Sequence, residues 1–371
     1  MEIGIHNPER PVVSIGMMAY NHEKYIARAI ESVLMQEVNF PFELVIAEDC
    51  STDNTRQIVI DYQKRYPGVI RLILHETNVG MQENSNCLRR ACKGKYRANL
   101  EGDDFWIDPN KLQSQVNFLE THPDFIATGG DFLCIDDDEN PCAFPWGKLE
   151  NTYCQDEEYT KEHLSQWLLP AHISSAMFRN VFADIEAGRL QRFEETQVLG
   201  DRRVYLFLVM QGRIRHEQRN VMVRRILKKS GSSFTSAVKG SNWQEINYDW
   251  LCEAERYAKS EFNYKLDLSA RKEMHWLGSL KMFFWNPTNQ NLEITRSIFK
   301  KSDHKIRYIW IGIRTFLAKT GHVLKRDGLI RGIKNGLKKV TKHRKRYEVE
   351  KEQIQAIDMQ TNRILKSFSG Q

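Results

Sequence analysis

The sequence has 371 residues, of which 41% are hydrophobic, 27% charged and 11% aromatic, with a formal net charge of +6. This composition excludes a disordered chain, a collagen-like repeat and a membrane-embedded bundle. It predicts a globular protein with enough apolar sequence for a full core and a ligand cleft.

Cysteines and apolar runs indicate the compartment. The seven cysteines include no CxxC pair, so neither a disulfide framework nor a zinc knuckle is indicated. The amino terminus has no apolar stretch of signal-peptide length, and no uncharged apolar run reaches the roughly 18 residues of a membrane span. We expect a cytoplasmic protein with reduced thiols, without a signal peptide or a transmembrane span.

Positive charge is concentrated near the end of the sequence. Residues 300–346 contain 16 Lys or Arg, but only Asp303 and Asp327 as acidic residues. Apolar residues recur there at helical spacing, which predicts amphipathic helices. We expect this region to lie on an anionic membrane surface, peripheral to its inner face, or else to pack on the body with a solvated basic face. Nucleic acid is the less favoured anionic partner.

Apolar runs alternate with helix-like patterns in the first 130 residues. Strands are predicted at residues 11–18, 43–47, 69–74, 96–100 and 125–130, and helices near residues 26–34, 53–66, 83–91 and 111–120. Strand starts recur about every 30 residues, as in βαβ units. The pattern predicts an α/β fold with a mainly parallel twisted sheet flanked by helices.

The residues directly after two predicted strands are unusually acidic. They are Glu48, Asp49 and Asp53 after the second strand, and Glu101, Asp103 and Asp104 after the fourth. Ligands of such sheets bind outside the carboxyl ends of the strands, where neighbouring carboxylates repel each other unless a cation or a ligand lies between them. The arrangement predicts Mg²⁺ or Mn²⁺ and, with it, a diphosphate such as a nucleotide-sugar. Because GxGxxG and GxxxxGK[ST] are absent, a dehydrogenase and a P-loop kinase are disfavoured.

Four motifs occur in the order and spacing of one known family. They are VVSIGMMAYNHEKYIARAIESVLMQ at 12–36, ELVIAEDCSTDNT at 43–55, NVG at 78–80 with Asn86, and GKYRANLEGDDFW at 94–106. The combination, over roughly residues 11–235, resembles glycosyltransferase family 2, whose catalytic domain has the GT-A fold. The resemblance implies a Rossmann-like GT-A sheet, a nucleoside diphosphate-sugar donor that we expect to be UDP-linked, inversion at the transferred sugar, and dependence on Mn²⁺ or Mg²⁺.

The resemblance also implies roles for residues at the strand ends. Ala19 and Tyr20 of the AYN motif are expected against the nucleotide base, and Asp49 is expected to hydrogen-bond it. Asp103 and Asp104 correspond to the DXD-like element of the family. Asp104 is the expected direct metal ligand, and Asp103 is expected to contact the metal or the ribose.

Structural roles remain open for the same carboxylates. Residues before a helix often cap its free N–H groups, and we expect this role for Asp53, whereas Asp49 is favoured as a ligand. An acidic turn is the alternative to metal binding for Asp103 and Asp104. Glu101 stands where the family often has Asp.

Inverting transfer needs a carboxylate that accepts the proton of the attacking hydroxyl. The segment LGDRRVYL at 199–206 resembles the base-containing segment of the family, which makes Asp201 the expected catalytic base. Glu194 and Glu195 are rival bases just upstream. Helix capping is the alternative role of Asp201.

Two further segments bear on the acceptor and the diphosphate. AHISSAMFR at 171–179 resembles an acceptor-side segment, so His172 and Ser174 are expected near the acceptor sugar. Many relatives carry Tyr-Arg-x-His after the base, but here Leu227 replaces the histidine. We expect Arg225, Lys228 or Lys229 to neutralise diphosphate charge instead. The alternative is that these cations only lie on an exposed strand.

The sequence therefore predicts a GT-A catalytic domain at 1–240, a helical extension at 241–299 and a basic amphipathic tail at 300–371. The predicted function is metal-dependent inverting glycosyl transfer to a hydroxyl of a glycan or a lipid-linked oligosaccharide, in polysaccharide or cell-surface glycan biosynthesis. One alternative is a catalytically inactive nucleotide- or glycan-binding scaffold with the same fold. Another is a sugar nucleotidyltransferase, which should carry a glycine-rich basic loop after the first strand.

Overall fold

The computed structural model describes residues 2–3, 11–144, 150, 152–196, 198, 200–227, 242–286, 288–302, 304–305 and 307–308. Lys228, Lys229 and residues 309–371 of the basic tail lie outside the described residues, so the roles expected for them stay predictions. The chain divides into two compact units, one of residues 1–239 with 253–266 and one of residues 240–252 with 267–371.

Four parallel strands form the first half of the sheet, in the order β4-β3-β2-β5. The strands are β2 (Val13–Ala19), β3 (Phe42–Glu48), β4 (Ile70–Leu74) and β5 (Tyr96–Glu101). The helices are α1 (Ile26–Leu34), α2 (Thr55–Arg65), α3 (Gly80–Ala91) and, after β5, α4 (Lys111–Thr121). A short β1 (Glu2–Ile3) pairs antiparallel with β4 at the edge.

The second half of the sheet is mixed. Its strands are β6 (Phe105–Trp106), β7 (Phe125–Asp136), β8 (Glu158–Tyr159), β9 (Met177–Arg179) and β10 (Arg213–Ile226). The short β9 lies antiparallel between β5 and β7, and β10 runs parallel to β7. The helices α5 (Ala187–Glu195) and α6 (Asp201–Val209) lie between β9 and β10 in the chain.

Apolar strands buried between the helices hold this unit together. In β2, Val13, Ile15, Met17 and Ala19 are fully buried, and the neighbouring strands are buried over most of their length. Strands covered on both faces are typical of parallel α/β sheets and explain the near-continuous apolar runs of the sequence. The predicted α/β class, with a sheet flanked by helices, is confirmed.

Helices make up the described part of the second unit, as predicted for the region after the catalytic domain. They are the first part of α7 (Trp243–Phe262), together with α8 (Ser269–Trp285) and α9 (Asn289–Lys301). The rings of Trp276 and Tyr308 stack with centroids 5.1 Å apart, and Ile294 and Ile298 belong to the same cluster. Among the described residues, no helix is both long enough and apolar enough to cross a membrane.

Candidate active site

The carboxyl end of β5 turns sharply at Gly102, which places the following acidic residues close to β2. A Cβ atom on Gly102 would lie 2.8 Å from the carbonyl oxygen of Met18 and 2.7 Å from His22 Nδ1. The Gly102 N–H donates to that same Met18 carbonyl oxygen at 3.1 Å. Only glycine allows this close approach, and it fixes the position of the two aspartates that follow.

Asp104 is a buried carboxylate with one oxygen left unsatisfied. The side chain is 2% exposed, and the backbone N–H of Arg225 donates to Oδ1 at 2.9 Å. Oδ2 is fully buried and has no hydrogen-bond partner within 3.5 Å among the described residues, although the nearby Ser174 hydroxyl lowers the pKa of Asp104. Burial, followed by the charge of Asp103, raises the pKa of Asp104 to about 8. A buried oxygen without a partner is costly, so this atom is a candidate ligand of a cation.

Glu101 and His172 face Asp104. His172 Nε2 lies 3.8 Å from Glu101 Oε2, and His172 Nδ1 lies 4.0 Å from Asp104 Oδ2. Burial raises the pKa of Glu101 well above its usual range, and Asp104 adds to the shift. Burial lowers the pKa of His172 well below 6.5, with Arg224 as the second cause, so the imidazole is neutral. A neutral imidazole is the form that binds metals.

The turn that carries His172 joins several parts of the site. It is a single 3₁₀ turn, Ile173–Ser175, in which the backbone N–H of Ser174 donates to His172 Nδ1 at 3.3 Å. Ser174 is fully buried, and its Oγ accepts the N–H of Glu101 at 3.2 Å. Both predicted acceptor-side residues are thus packed against the metal motif. Their contact with an acceptor stays a prediction.

Asp201 opens α6 directly after Gly200, whose φ of +65° favours glycine. Burial raises the pKa of Asp201 to about 6, although Arg224, Arg202 and the backbone N–H of Ile173 act in the opposite direction. The charge of Asp201 in turn contributes to the raised pKa of Glu101. The expected base and the metal motif therefore share one electrostatic environment, tied through the 173–175 turn.

Two neighbouring arginines of β10 have different roles. Arg225 is 4% exposed, and its side chain donates to the Asp103 carbonyl oxygen and to Glu139 Oε1. Burial alone would lower the pKa of Arg224. The nearby Tyr153, Asp104 and Glu101 together outweigh burial and raise it.

Successive side chains of a strand point to opposite faces. Among the described residues, Arg224 is accordingly a cation whose charge acts on Glu101 and Asp104, whereas the Arg225 side chain bonds Asp103 and Glu139. A contact of Arg225 with a diphosphate stays a prediction. Leu227, at the position of the family's histidine, is buried.

The carboxylates at the end of β3 are occupied by backbone donors. Asp49 is 3% exposed, and its Oδ1 and Oδ2 accept the N–H groups of Val79 and Gly80 at 2.7 and 3.0 Å. Asp53 accepts the N–H groups of Thr55, the first residue of α2, and of Glu23. Asp49 thus holds the start of α3. Its contact with a nucleotide base stays a prediction.

The AYN loop is fixed next to this cluster. Ala19 is fully buried, and its carbonyl oxygen accepts the N–H of Asp49 at 2.9 Å. Asn21, with a φ of +54°, donates its N–H to Ser51 Oγ and accepts the N–H of Thr52. Tyr20 lies between them, half-buried. The loops predicted to bind the nucleotide are therefore joined to each other by hydrogen bonds.

The rival bases are placed differently from Asp201. The Glu194 carboxylate pairs with Arg90 and lies 3.9 Å from Arg89 Nη1. The exposed Glu195 accepts a hydrogen bond from Gln191 along α5. Neither is among the charges that shift the pKa of Glu101 or Asp104. This geometry favours Asp201.

Glu101, Asp104 and His172 fit a divalent cation. Each offers one ligand atom, and these atoms lie within 4.8 Å of one another. Carboxylate oxygens suit Mg²⁺ and Mn²⁺, and the unsatisfied Oδ2 of Asp104 has no other use among the described residues. The sequence pointed to Asp104 but missed His172 as its neighbour and Arg224 as the local cation. Strand alternation in β10 was the available signal for Arg224.

The sequence model of the family described as "Glycosyl transferase family 2" matches residues 14–184 and confirms the resemblance over those residues, which end before the segment 199–206. An uncharacterized protein of Mycobacterium tuberculosis is 44% identical over 112 residues, which cover 30% of this chain and 32% of that protein. Chondroitin synthase of Escherichia coli is 37% identical over 103 residues, 28% of this chain and 14% of that protein. The chain thus spans a third or less of the length of these two relatives. The solved structure of S. aureus TarS 1-349 in complex with UDP is 18% identical, with a TM-score of 0.46, over 81% of this chain and 78% of that one.

Proposed function

We propose that this chain, whose residues 14–184 match the model of glycosyl transferase family 2, moves a sugar from a nucleoside diphosphate donor to a hydroxyl of a glycan or a lipid-linked oligosaccharide. The donor is expected to be UDP-linked, and the transfer metal-dependent and inverting. The observation that carries the proposal is the meeting of Asp104, Glu101 and His172 in one electrostatic environment with Asp201. The relation to a chondroitin synthase supports a glycan acceptor.

The carboxylates after β5 are the proposed binding site of Mn²⁺ or Mg²⁺. When bound there, the cation neutralises the charge that develops on the leaving diphosphate. Asp104 and Glu101 supply oxygen ligands, and His172 supplies a ring nitrogen from the facing turn. Arg224 adds a fixed positive charge beside the same carboxylates, where it favours their ionised forms.

Asp201 is the proposed general base. With a pKa of about 6 it is ionised at neutral pH, yet more basic than an exposed aspartate. The N–H of Ile173 and the neighbouring Arg224 favour its charged form. Asp201 accepts the proton of the acceptor hydroxyl as the hydroxyl oxygen attacks the anomeric carbon and the bond to the diphosphate breaks.

The AYN loop and Asp49 are the proposed base-binding elements, with Asp103 at the ribose or the metal. Each carboxylate oxygen offers about two acceptor sites, so Asp49 keeps acceptor capacity beyond the N–H groups of Val79 and Gly80. The hydrogen bonds that Asn21 makes with Ser51 and Thr52 preorganise the loops around Tyr20.

Calorimetric titration of UDP and of UDP- and GDP-sugars, with Mn²⁺ or with EDTA, into the wild type and Asp104→Ala tests the proposal. We expect metal-dependent UDP binding that the variant loses. Circular dichroism of both proteins controls for folding. Absence of nucleotide binding by the folded wild type would overturn the proposal and favour the inactive scaffold.

The basic segment 300–346 is a proposed contact with an anionic membrane surface. Its 16 Lys or Arg residues favour such a surface at about 1 kcal/mol for each cation near it. Flotation with vesicles containing anionic lipid should recover the full chain, but not a chain that ends at residue 299. Equal recovery of both would contradict this role.

A further inference from the structure

Three arginines are buried behind the candidate active site. Arg89 of α3, Arg97 of β5 and Arg203 of α6 are 2%, 4% and 3% exposed. Arginine is among the residues least often fully buried, and when it is buried it is usually paired with a carboxylate. We call these three residues the arginine pocket.

The hydrogen bonds of the arginine pocket go mainly to neutral groups. Arg89 donates to Asn86 Oδ1 at 2.7 Å, Arg97 to Asn99 Oδ1 at 3.1 Å, and Arg203 to the carbonyl oxygen of Glu194 at 2.9 Å. The Nε atoms of Arg89 and Arg203 are buried and have no acceptor among the described residues. The pocket therefore has donors to spare.

The arginine pocket holds more positive charge than negative charge. Among the described residues, the one carboxylate in ion-pair range of the three arginines is Glu194, 3.9 Å from Arg89, and it also pairs with Arg90. The pKa of Arg89 is lowered well below its usual value, first by burial and then by Arg97 and Arg203. Buried charges of one sign are costly unless an opposite charge joins them.

The same cavity reaches the site of transfer. It is lined by Arg89, Arg97 and Arg203 and also by Glu101 and Asp201. The residues predicted to bind the nucleotide, Ala19, Tyr20, Asp49 and Asp103, do not line it. The cavity thus adjoins the proposed base, which meets the acceptor, rather than the nucleotide loops.

We propose that the arginine pocket binds the carboxylate or phosphate of an anionic acceptor sugar and so selects acceptors that carry one. The guanidinium fork matches both groups through paired N–H donors, and Arg89, Arg97 and Arg203 all line the cavity. The anion supplies the missing negative charge. That the bound sugar is an acceptor rests on the proposed function, whereas anion binding by the pocket does not depend on transfer.

Three sugars that differ at one carbon test the pocket: glucuronate, glucose 6-phosphate and glucose. Each is titrated into the full chain by calorimetry, in the presence of saturating UDP and Mn²⁺ so that the nucleotide site is occupied. We expect at least one of the two anionic sugars to bind at least tenfold more tightly than glucose. The arm that responds tells a carboxylate from a phosphate ligand.

Arg97→Met and Arg90→Met are the matched variants. Arg90 is next to Arg89 on α3 and shares Glu194, but its side chain is 48% exposed and does not line the cavity. We expect Arg97→Met to lose the preference for the anionic sugar and Arg90→Met to keep it. Arg97→Lys, which keeps the charge but not the fork, should fall between them and serves if Arg97→Met does not fold.

The inference is overturned if neither anionic sugar binds the wild type more tightly than glucose, or if Arg97→Met keeps the preference. UDP titration with Mn²⁺ on the same preparations separates the two proposals. A wild type that binds anionic sugars but no UDP would contradict the proposed function and leave the pocket standing. A wild type that binds UDP but not the anionic sugars would contradict the pocket proposal and leave the proposed function standing.

Discussion

The ends of β3 and β5 look alike in sequence but differ in how their carboxylates are satisfied. At the end of β3, Glu48 is fully buried, accepts the N–H of Ser51 and pairs with Arg56. Asp49 and Asp53 each accept two backbone N–H groups. These carboxylates hold loops and helix starts in place.

At the end of β5, the carboxylates crowd together and lack donors. Asp104 keeps one oxygen without a hydrogen bond, and Glu101 lies beside it with a raised pKa. An acidic cluster therefore becomes a candidate ligand site when its own chain leaves its oxygens without donors. Substitutions at β3 should therefore change stability, and substitutions around β5 should change binding and transfer.

The largest expected effect is on transfer, in Asp201→Asn. The amide cannot accept the acceptor proton, so we expect the transfer rate to fall by about 10³-fold while UDP affinity with Mn²⁺ is retained. Single-turnover kinetics and UDP titration measure the two quantities. Glu195→Gln, at the rival base, should remain active. A reversed result would move the base to α5.

Glu48→Gln should destabilise the fold without touching the metal site. It leaves Arg56 without its buried partner, and we expect a loss of about 3 kcal/mol in the free energy of unfolding. Urea denaturation measures this loss. The matched control is Glu120→Gln, an exposed partner of Lys95, with an expected cost under about 1 kcal/mol. Equal costs would remove the structural role of Glu48.

Asp104→Asn should raise the free energy of unfolding of the metal-free protein, whereas Glu48→Gln should lower it. The folded pKa of about 8 lies above the unfolded value near 4, so folding takes up a proton and wild-type stability falls as pH rises from about 4 to 8. In EDTA at pH 7 we expect the variant to gain about 2 kcal/mol over the wild type, and almost nothing at pH 4. Destabilisation at pH 7 would contradict the contrast with Glu48.

His172→Asn should weaken the metal site while leaving the turn intact. Asparagine can accept the N–H of Ser174 but offers no imidazole nitrogen, so we expect Mn²⁺ affinity to fall by about tenfold. Electron paramagnetic resonance titration of Mn²⁺ reads this directly. His122→Asn, at the end of α4 and outside the groups of described residues that could hold a metal ion, is the control. Unchanged Mn²⁺ affinity in His172→Asn would leave the carboxylates as the sole ligands.

The smallest expected effect is the pH dependence near neutrality. Asp201 must be ionised to act, and its pKa is about 6, so the transfer rate should reach about half its plateau at pH 6 and fall about tenfold per unit below. A pH profile of kcat/KM, which reports the pKa values of the free enzyme, tests this. A midpoint near 4 would indicate a base in a solvated environment.

Strands β2 to β5 and their helices were predictable because apolar runs and helical periodicity repeat regularly there. The structure shifts their bounds by a few residues and extends β7 from Phe125–Gly130 to Phe125–Asp136. The second half of the sheet was not predictable in this way. There β9 has three residues, and its place between β5 and β7 depends on contacts far apart in the chain.

The residues of the candidate site also differ in whether the sequence could predict them. Asp104 and Asp201 stand at strand and helix ends within local motifs, so the sequence indicated both. The approach of His172 to Glu101, and of Arg89 to Arg203, joins residues from distant segments. Sequence spacing carries no signal for such meetings, since they are produced by tertiary packing alone.

The bond that fixes Asp104 comes from the main chain of Arg225 and not from its side chain. Every amino acid except proline supplies the same N–H group. Mutational drift at position 225 can therefore alter the pairing with Glu139 while the aspartate keeps its orientation. Any replacement of Arg225 removes the side-chain bonds to Asp103 and Glu139, but only proline also removes the main-chain bond to Asp104.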